Sequence, residues 1–364
     1  MTQLTARPGI LEIGAYKQGQ SDLVGIKNPI KLSSNESPLG PSPRAIAAYE
    51  EAAGELFRYP DGSQHDLIGA IAKRFALEES KIICGNGSDE LIQMLIRAYV
   101  GPDDEIIISE QAFAMCRIHS MAQCATIITA LEPDLVPDVD HILACVTNKT
   151  RMVTIATPNN PAGRYMPKDE LKRLHDNLPE NVLLLVDSAY ADYVEAEDYD
   201  SGLELAKSTK NVVMTRTFSK LYGLSALRIG WAYCDESIID ILQRIRTPFN
   251  TNAPALAAAK EAVLDTGYEA MIRKHNNSWL VKMSKTLTDL GIEVIPSVAN
   301  FILMRFSDDP RYNAQNAGDY LLSQGIIPRP VGAGGPANCL RITIGLDNEN
   351  EAVITALTDF MKKK

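Results

Sequence analysis

Histidine is scarce in this sequence: five residues in 364, with no His-x-x-x-His pair. A zinc site of the kind metalloproteases build on one helix face has nothing to start from. The six cysteines, at 84, 116, 124, 145, 234 and 339, include no Cys-x-x-Cys. One cluster, Cys116, His119 and Cys124, lacks a fourth ligand at finger-like spacing, and Met115, Ile118 and Met121 interleave as on a helix packed against a core. No metal is expected, and the thiols are expected to be reduced and mostly buried. No apolar run approaches the roughly 18–20 residues that span a bilayer. The first residues, Met1 to Gly9, contain no apolar stretch of signal-peptide type. Basic charge is also in deficit: Lys+Arg 36 against Asp+Glu 46 gives a formal net charge of −10. That sign disfavours nucleic acid and anionic membrane as partners, while a local basic pocket can still hold an anion. The expectation is a soluble, cytoplasmic protein.

What is present is an ordinary globular composition, 45% hydrophobic and 23% charged, at a length suited to about two domains. After an irregular start, the prolines at 38, 41 and 43 forbid regular structure. Helical spacing follows at 43–54 and 64–76, a short strand at Lys81–Cys84, and a helix opened by Gly85-Asn86-Gly87-Ser88-Asp89-Glu90. Glu105–Ser109, 124–129, Met152–Ala156, Val182–Val186 and Val212–Thr215 have strand character, the last three being apolar on both faces. They alternate with helical segments at 112–122 and Pro167–Asn177. This is the pattern of a mostly parallel sheet covered by helices on both sides. Beyond about 258 a long helical region runs towards 289. Strand-like runs then follow at 293–295, 300–305, 326–329 and 340–344, with helices near 314–323 and 349–362. We expect an α/β large domain over 33–257 and a small α+β domain formed by 1–32 and 258–364.

Three of the parallel-type strands run into polar residues: Thr157-Pro158-Asn159-Asn160, Asp187-Ser188-Ala189-Tyr190, and Arg216-Thr217-Phe218-Ser219-Lys220 with Arg228 further on. Ligands in open α/β sheets bind outside the carboxyl ends of strands, so these segments are expected to share one. Desolvation and nearby positive charge suit Lys220 to become a neutral amine. Asp187, at the end of an apolar run, needs a cation. Ser88 at a helix N-terminus, with Thr217, Ser219 and Arg228, suits a phosphate. Singly, each reads more simply as a surface pair, a helix cap or a turn. Together they describe a pyridoxal 5′-phosphate (PLP) site. By contrast, Gly332-Ala333-Gly334-Gly335-Pro336-Ala337 matches a dinucleotide pattern but leads into a strand, so no pyrophosphate seat is expected there.

With these motifs in hand, the sequence resembles the fold-type-I PLP-dependent aminotransferases, and within them the histidinol-phosphate aminotransferase family. The resemblance runs along nearly the whole chain. It rests on Ser34-Asn35-Glu36-Ser37-Pro38-Leu39-Gly40-Pro41, Arg58-Tyr59-Pro60-Asp61-Gly62, Gly85–Glu90, Asn159-Asn160-Pro161-Ala162-Gly163, Asp187–Tyr190, Thr217–Lys220, Leu227-Arg228-Ile229-Gly230 and Leu340–Gly345. It implies Lys220 as the Schiff-base and proton-shuttling lysine, Asp187 as partner of the pyridinium nitrogen, and Asn160 and Tyr190 on the ring hydroxyl. It further implies Phe113 stacked on the ring where the family usually has Tyr. Ser88, Asp89 (through backbone N–H), Thr217, Ser219 and Arg228 would hold the phosphate, with Tyr59 reaching a neighbouring subunit's site in a homodimer. Arg341 would clamp the substrate's acidic group, with Arg329, Tyr16 and Asn35 nearby. The implied reaction is transamination between histidinol phosphate and 2-oxoglutarate in histidine biosynthesis. An aromatic amino-acid aminotransferase, a phosphothreonine decarboxylase-like enzyme and a non-catalytic PLP-binding regulator are the alternatives. The sequence departs from the family pattern at Gly334, at Ala162 and in Ala15-Tyr16-Lys17-Gln18-Gly19, all expected in or near the substrate-facing shell and none on the cofactor core.

Overall fold

The computed structural model describes residues 4–16, 18–331 and 335–362. The Gly332-Ala333-Gly334 segment, Lys17 and the last two lysines lie outside the described residues. The centre is a seven-stranded sheet in the spatial order Ile82–Gly85, Gly230–Tyr233, Val212–Thr217, Leu183–Asp187, Thr150–Ala156, Glu105–Ser109, Thr126–Ala130. The last five pair in parallel. Gly230–Tyr233 runs antiparallel to both its neighbours, which leaves Ile82–Gly85 parallel with the rest. That antiparallel strand was not anticipated, because Gly-Trp-Ala-Tyr has neither alternation nor β-branched residues; burial on both faces decides it.

Period-two alternation divides the central strands between two cores. Leu184, Val186, Val212 and Met214 point into one, under the helices Pro43–Ala53, His65–Phe75, Lys168–Asn177 and Ala253–Leu264. Leu183, Leu185 and Val213 point into the other, under Ser88–Tyr99, Ala114–Ala122 and Glu236–Ile245. Continuous apolar strands are what a sheet covered on both faces requires.

A second, four-stranded antiparallel sheet has the order Arg329–Pro330, Cys339–Thr343, Phe301–Arg305, Glu293–Ile295. The single strand expected at 326–329 is two: Ile326–Ile327 pairs in parallel with Ile30–Lys31, and Arg329–Pro330 joins the four-stranded sheet. Pro328 and Pro330 lack donors, so an uninterrupted ladder cannot form there. Leu340 and Ile342 enter a third core with Ile302 and Met304. Arg341, between them, emerges on the opposite face.

The helix Thr266–Asp289 passes from the first core at Ile272 to the third at Trp279. Near that hand-over, buried Asp192 pairs with Arg216 (3.0 Å), and Arg273 donates to the Asp192 carbonyl (2.9 Å) and pairs with Glu269. Gly163 marks a second joint: its φ is +74°, and a Cβ there would meet Ser297 Oγ at 2.0 Å. Only glycine permits that approach.

Candidate active site

The carboxyl ends of the six parallel strands and the inner face of the four-stranded sheet enclose a cavity of about 700 Å³. Tyr16, Asn35, Ser88, Asp89, Phe113, Asn160, Asp187, Tyr190, Thr217, Ser219, Lys220, Arg228, Arg329 and Arg341 all line it. Of the residues given a role from sequence, Tyr59 lies elsewhere: it is 83% exposed and stacks on Phe249 with ring centroids 4.7 Å apart. Ala162, expected near the substrate, does not line the cavity either: it is fully buried among Ile295, Leu303 and Cys339.

Asp187 closes its strand as a buried carboxylate. It accepts from the Thr215 hydroxyl (3.4 Å) and the Ala189 N–H, and among the described residues no cation pairs with it. Burial pushes its pKa up to about 6, with the Asp89 carboxylate adding to the rise. Lys220 donates to the Ser34 carbonyl (3.1 Å), with its Nζ 5.7 Å from the Tyr190 ring centroid. Burial lowers its pKa to about 8, helped by the positive charges of Arg341 and Arg228 and opposed by Glu36 and Asp187. A free amine is therefore accessible near neutral pH, which a nucleophilic lysine requires. The Tyr190 hydroxyl accepts from Asn35 Nδ2 (2.8 Å) and Asn160 Nδ2 (3.4 Å), and burial raises its pKa.

The anion cradle is assembled from distant segments. Ser88 begins a twelve-residue helix, whose N-terminus offers unpaired N–H groups and the positive end of the dipole. Arg228, itself at φ 54°, donates to Ser219 Oγ (3.1 Å) and the Ser225 carbonyl (3.0 Å). Thr217 Oγ accepts from the Ser219 N–H (3.1 Å). A Cβ on Gly87 would sit 2.6 Å from Arg228 Nη2, so glycine holds the two walls of the cradle together.

Opposite, Arg341 is 7% exposed. It donates through Nη1 to Asn160 Oδ1 (2.5 Å) and through Nη2 to the Ser33 carbonyl (2.7 Å), and lies over the Phe301 ring. Its Nε has no partner, and burial together with Arg329 lowers its pKa. Lys220, Arg228 and Arg341 thus face one cavity without a paired carboxylate among the described residues, an arrangement stabilised by bound anions.

These residues fit PLP. The buried, unpaired Asp187 matches a pyridinium, the cradle a phosphate, and the desolvated lysine an aldehyde. Sequence reading missed Glu36, whose charge opposes the lowering of the Lys220 pKa, and the Ser33 and Ser34 carbonyls. Glu36 lay inside a quoted motif, but backbone acceptors leave no residue-type signal. Thr343 was missed as the residue that fixes Asn35: its Oγ1 accepts from the Asn35 N–H (2.9 Å).

Comparison with known proteins bears on the family and the fold. The family model for aminotransferase class I and II matches residues 27–357. The chain is 48% identical over 361 residues to a histidinol-phosphate aminotransferase of Paramagnetospirillum magneticum, covering 99% of each chain. It is 46% identical over 364 residues to that of Rhodopseudomonas palustris, covering 100% of each. A crystal structure of histidinol-phosphate aminotransferase from Sinorhizobium meliloti in complex with pyridoxal-5′-phosphate superposes with a TM-score of 0.85 at 28% identity, covering 92% of this chain and 91% of that one. The fold is the type-I fold of PLP-dependent aminotransferases, as the motifs implied. The chain belongs to the aminotransferase class I and II family.

Proposed function

We propose that this protein is a PLP-dependent aminotransferase that exchanges an amino group between histidinol phosphate and 2-oxoglutarate, in histidine biosynthesis. The observation that carries the reading is Arg341: a buried guanidinium whose Nε has no partner, across the cavity from Lys220. Such a group suits either a carboxylate or a phosphate, as a site serving two unlike anionic substrates in turn requires. The full-length identity to histidinol-phosphate aminotransferases supports the substrate.

When bound, PLP supplies an electron sink for the carbanion that forms at the substrate's Cα. The protein's contribution is to hold, orient and move protons. Ser88, Asp89 through its N–H, Thr217, Ser219 and Arg228 would hold the phosphate. Asp187 would hold a proton on the ring nitrogen, and its buried carboxylate gains a cation in return. Asn160 and Tyr190 would donate to the ring hydroxyl, and Phe113 would cover one face. Lys220, its pKa already lowered, would take the proton from Cα and return it one position away. Arg341, with Arg329, Tyr16 and Asn35 beside it, would anchor the substrate's acidic group. A homodimer is part of the proposal: Leu56, Phe57 and Tyr59 are exposed together, beside half-exposed Phe249. A partner subunit would cover them, bringing Tyr59 to its site. Cytoplasmic location accords with the sequence. Among the described residues no helix is long and apolar enough to cross a membrane.

The test is a substrate panel on purified, PLP-loaded protein with 2-oxoglutarate as acceptor. Histidinol phosphate and phenylalanine both carry an anion that Arg341 can hold, and histidinol phosphate is expected to give the higher kcat/KM by at least about tenfold, or about 1.4 kcal/mol. Preference for phenylalanine would assign an aromatic aminotransferase, and carbon dioxide release a decarboxylase.

A further inference from the structure

Glu132 is a buried carboxyl group that none of the roles above uses. It lies at the end of the Thr126–Ala130 strand connection, 4% exposed, just before a turn at Pro133–Leu135. Its Oε2 accepts from Asn159 Nδ2 (3.0 Å), and the same Nδ2 donates to the Leu135 carbonyl (2.8 Å). Asn159 is fully buried and precedes Asn160, whose side chain contacts both Arg341 and the Tyr190 hydroxyl. On its other side the Glu132 carboxyl lies near Ser109 and the Gln111 N–H, with its Oε1 and the Ser109 Oγ left without a hydrogen-bond partner among the described residues, while its own N–H donates to Glu110 Oε2 (3.3 Å). That second segment leads directly to Phe113. Glu132 therefore joins two cavity walls that belong to different strand ends, one through its carboxyl group and the other through its backbone N–H.

We infer that Glu132 is a positioning residue for the anion end of the site: through Asn159 it fixes Asn160, and through Asn160 the orientation of Arg341. The inference rests on the aminotransferase reading. Asn160 Oδ1 is the side-chain acceptor that orients Arg341 Nη1. With Glu132 replaced by an apolar residue, Asn159 Nδ2 keeps only the Leu135 carbonyl, and the Asn159-Asn160 turn gains freedom. A positioned hydrogen bond lost in this way weakens binding at a distance rather than chemistry.

The test uses holoenzyme and an inert dicarboxylate, succinate, titrated by calorimetry, with steady-state kinetics alongside. E132L is expected to weaken succinate and raise KM about tenfold, with kcat changed less than about threefold. E132Q, which retains an acceptor for Asn159, is expected to stay within about threefold of wild type. N159S, which breaks the same contact from the other side, should reproduce the E132L effect and abolish any further loss when the two are combined. N159S also carries the test should E132L fail to fold. Wild-type succinate affinity in E132L or N159S, additive losses in the double variant, or a fall in kcat alone would overturn the inference. Wild-type protein that takes up no PLP would instead overturn the functional reading, leaving the two failures distinguishable.

Discussion

At the scale of single residues, the site is a set of charges that the protein alone leaves uncompensated. Asp187 shows the consequence most clearly. Its carboxyl group titrates at about 6 in the fold against about 3.9 when unfolded, because burial disfavours the anion. The folded apoprotein binds the proton more tightly, so stability falls as pH rises from about 4 to 6, and the deficit persists above that. Apo D187N is therefore expected to melt above apo wild type at pH 7–8, by up to about 3 kcal/mol, and to converge with it near pH 4. The same variant should lose PLP-supported turnover, since the ring nitrogen has no acid partner. Thermal melts of both apoproteins across pH check the sign. Lys220 runs the other way. Its folded pKa, about 8, lies below the unfolded value, so its burial penalty is present below about pH 8 and vanishes as pH rises towards 10.5. At Arg341, lysine keeps the charge but loses the planar fork. R341K is expected to raise KM for anionic substrates about 10–100-fold with a smaller change in kcat, measurable by steady-state kinetics.

At the scale of elements, backbone geometry decides where those charges sit. Gly87 precedes the helix Ser88–Tyr99 with φ 84° and ψ 164°, a region essentially reserved for glycine. G87A adds strain of about 1–3 kcal/mol and drives a methyl into Arg228. PLP affinity is expected to fall about 10–100-fold, read by cofactor titration, with the rest of the fold intact. Elements were legible in the sequence where one period dominated. Glu105–Ser109, Glu293–Ile295 and the helix Ala314–Ser323 stand where apolar spacing put them. Gly230–Tyr233 was not legible, because tertiary burial rather than propensity makes it a strand. The split at 326–330 was hidden as well, since its partner Ile30–Lys31 lies some 300 residues away. The same limit applies to the site. Asp187 closes a strand and Lys220 follows one closely, so both could be read locally. The Glu132–Asn159 contact and the Ser33 carbonyl beneath Arg341 join segments that no spacing relates.

At the scale of the whole molecule, the cavity lies where a parallel sheet and an antiparallel one face each other. The long helix Thr266–Asp289 links their cores. The exposed cluster of Leu56, Phe57 and Tyr59 is the face proposed for a second copy of the chain. Light scattering is expected to give a dimer, and Y59A to weaken PLP binding while retaining the dimer; a monomeric, fully active wild type would remove that part of the proposal. The most direct measurement concerns the amine itself. Protein incubated with PLP, reduced with borohydride and digested should yield, by mass spectrometry, one pyridoxyl-modified peptide, carrying the label on Lys220, and K220A should yield none. Label on another lysine, or unlabelled wild type, would contradict the assignment of this cavity as a PLP site.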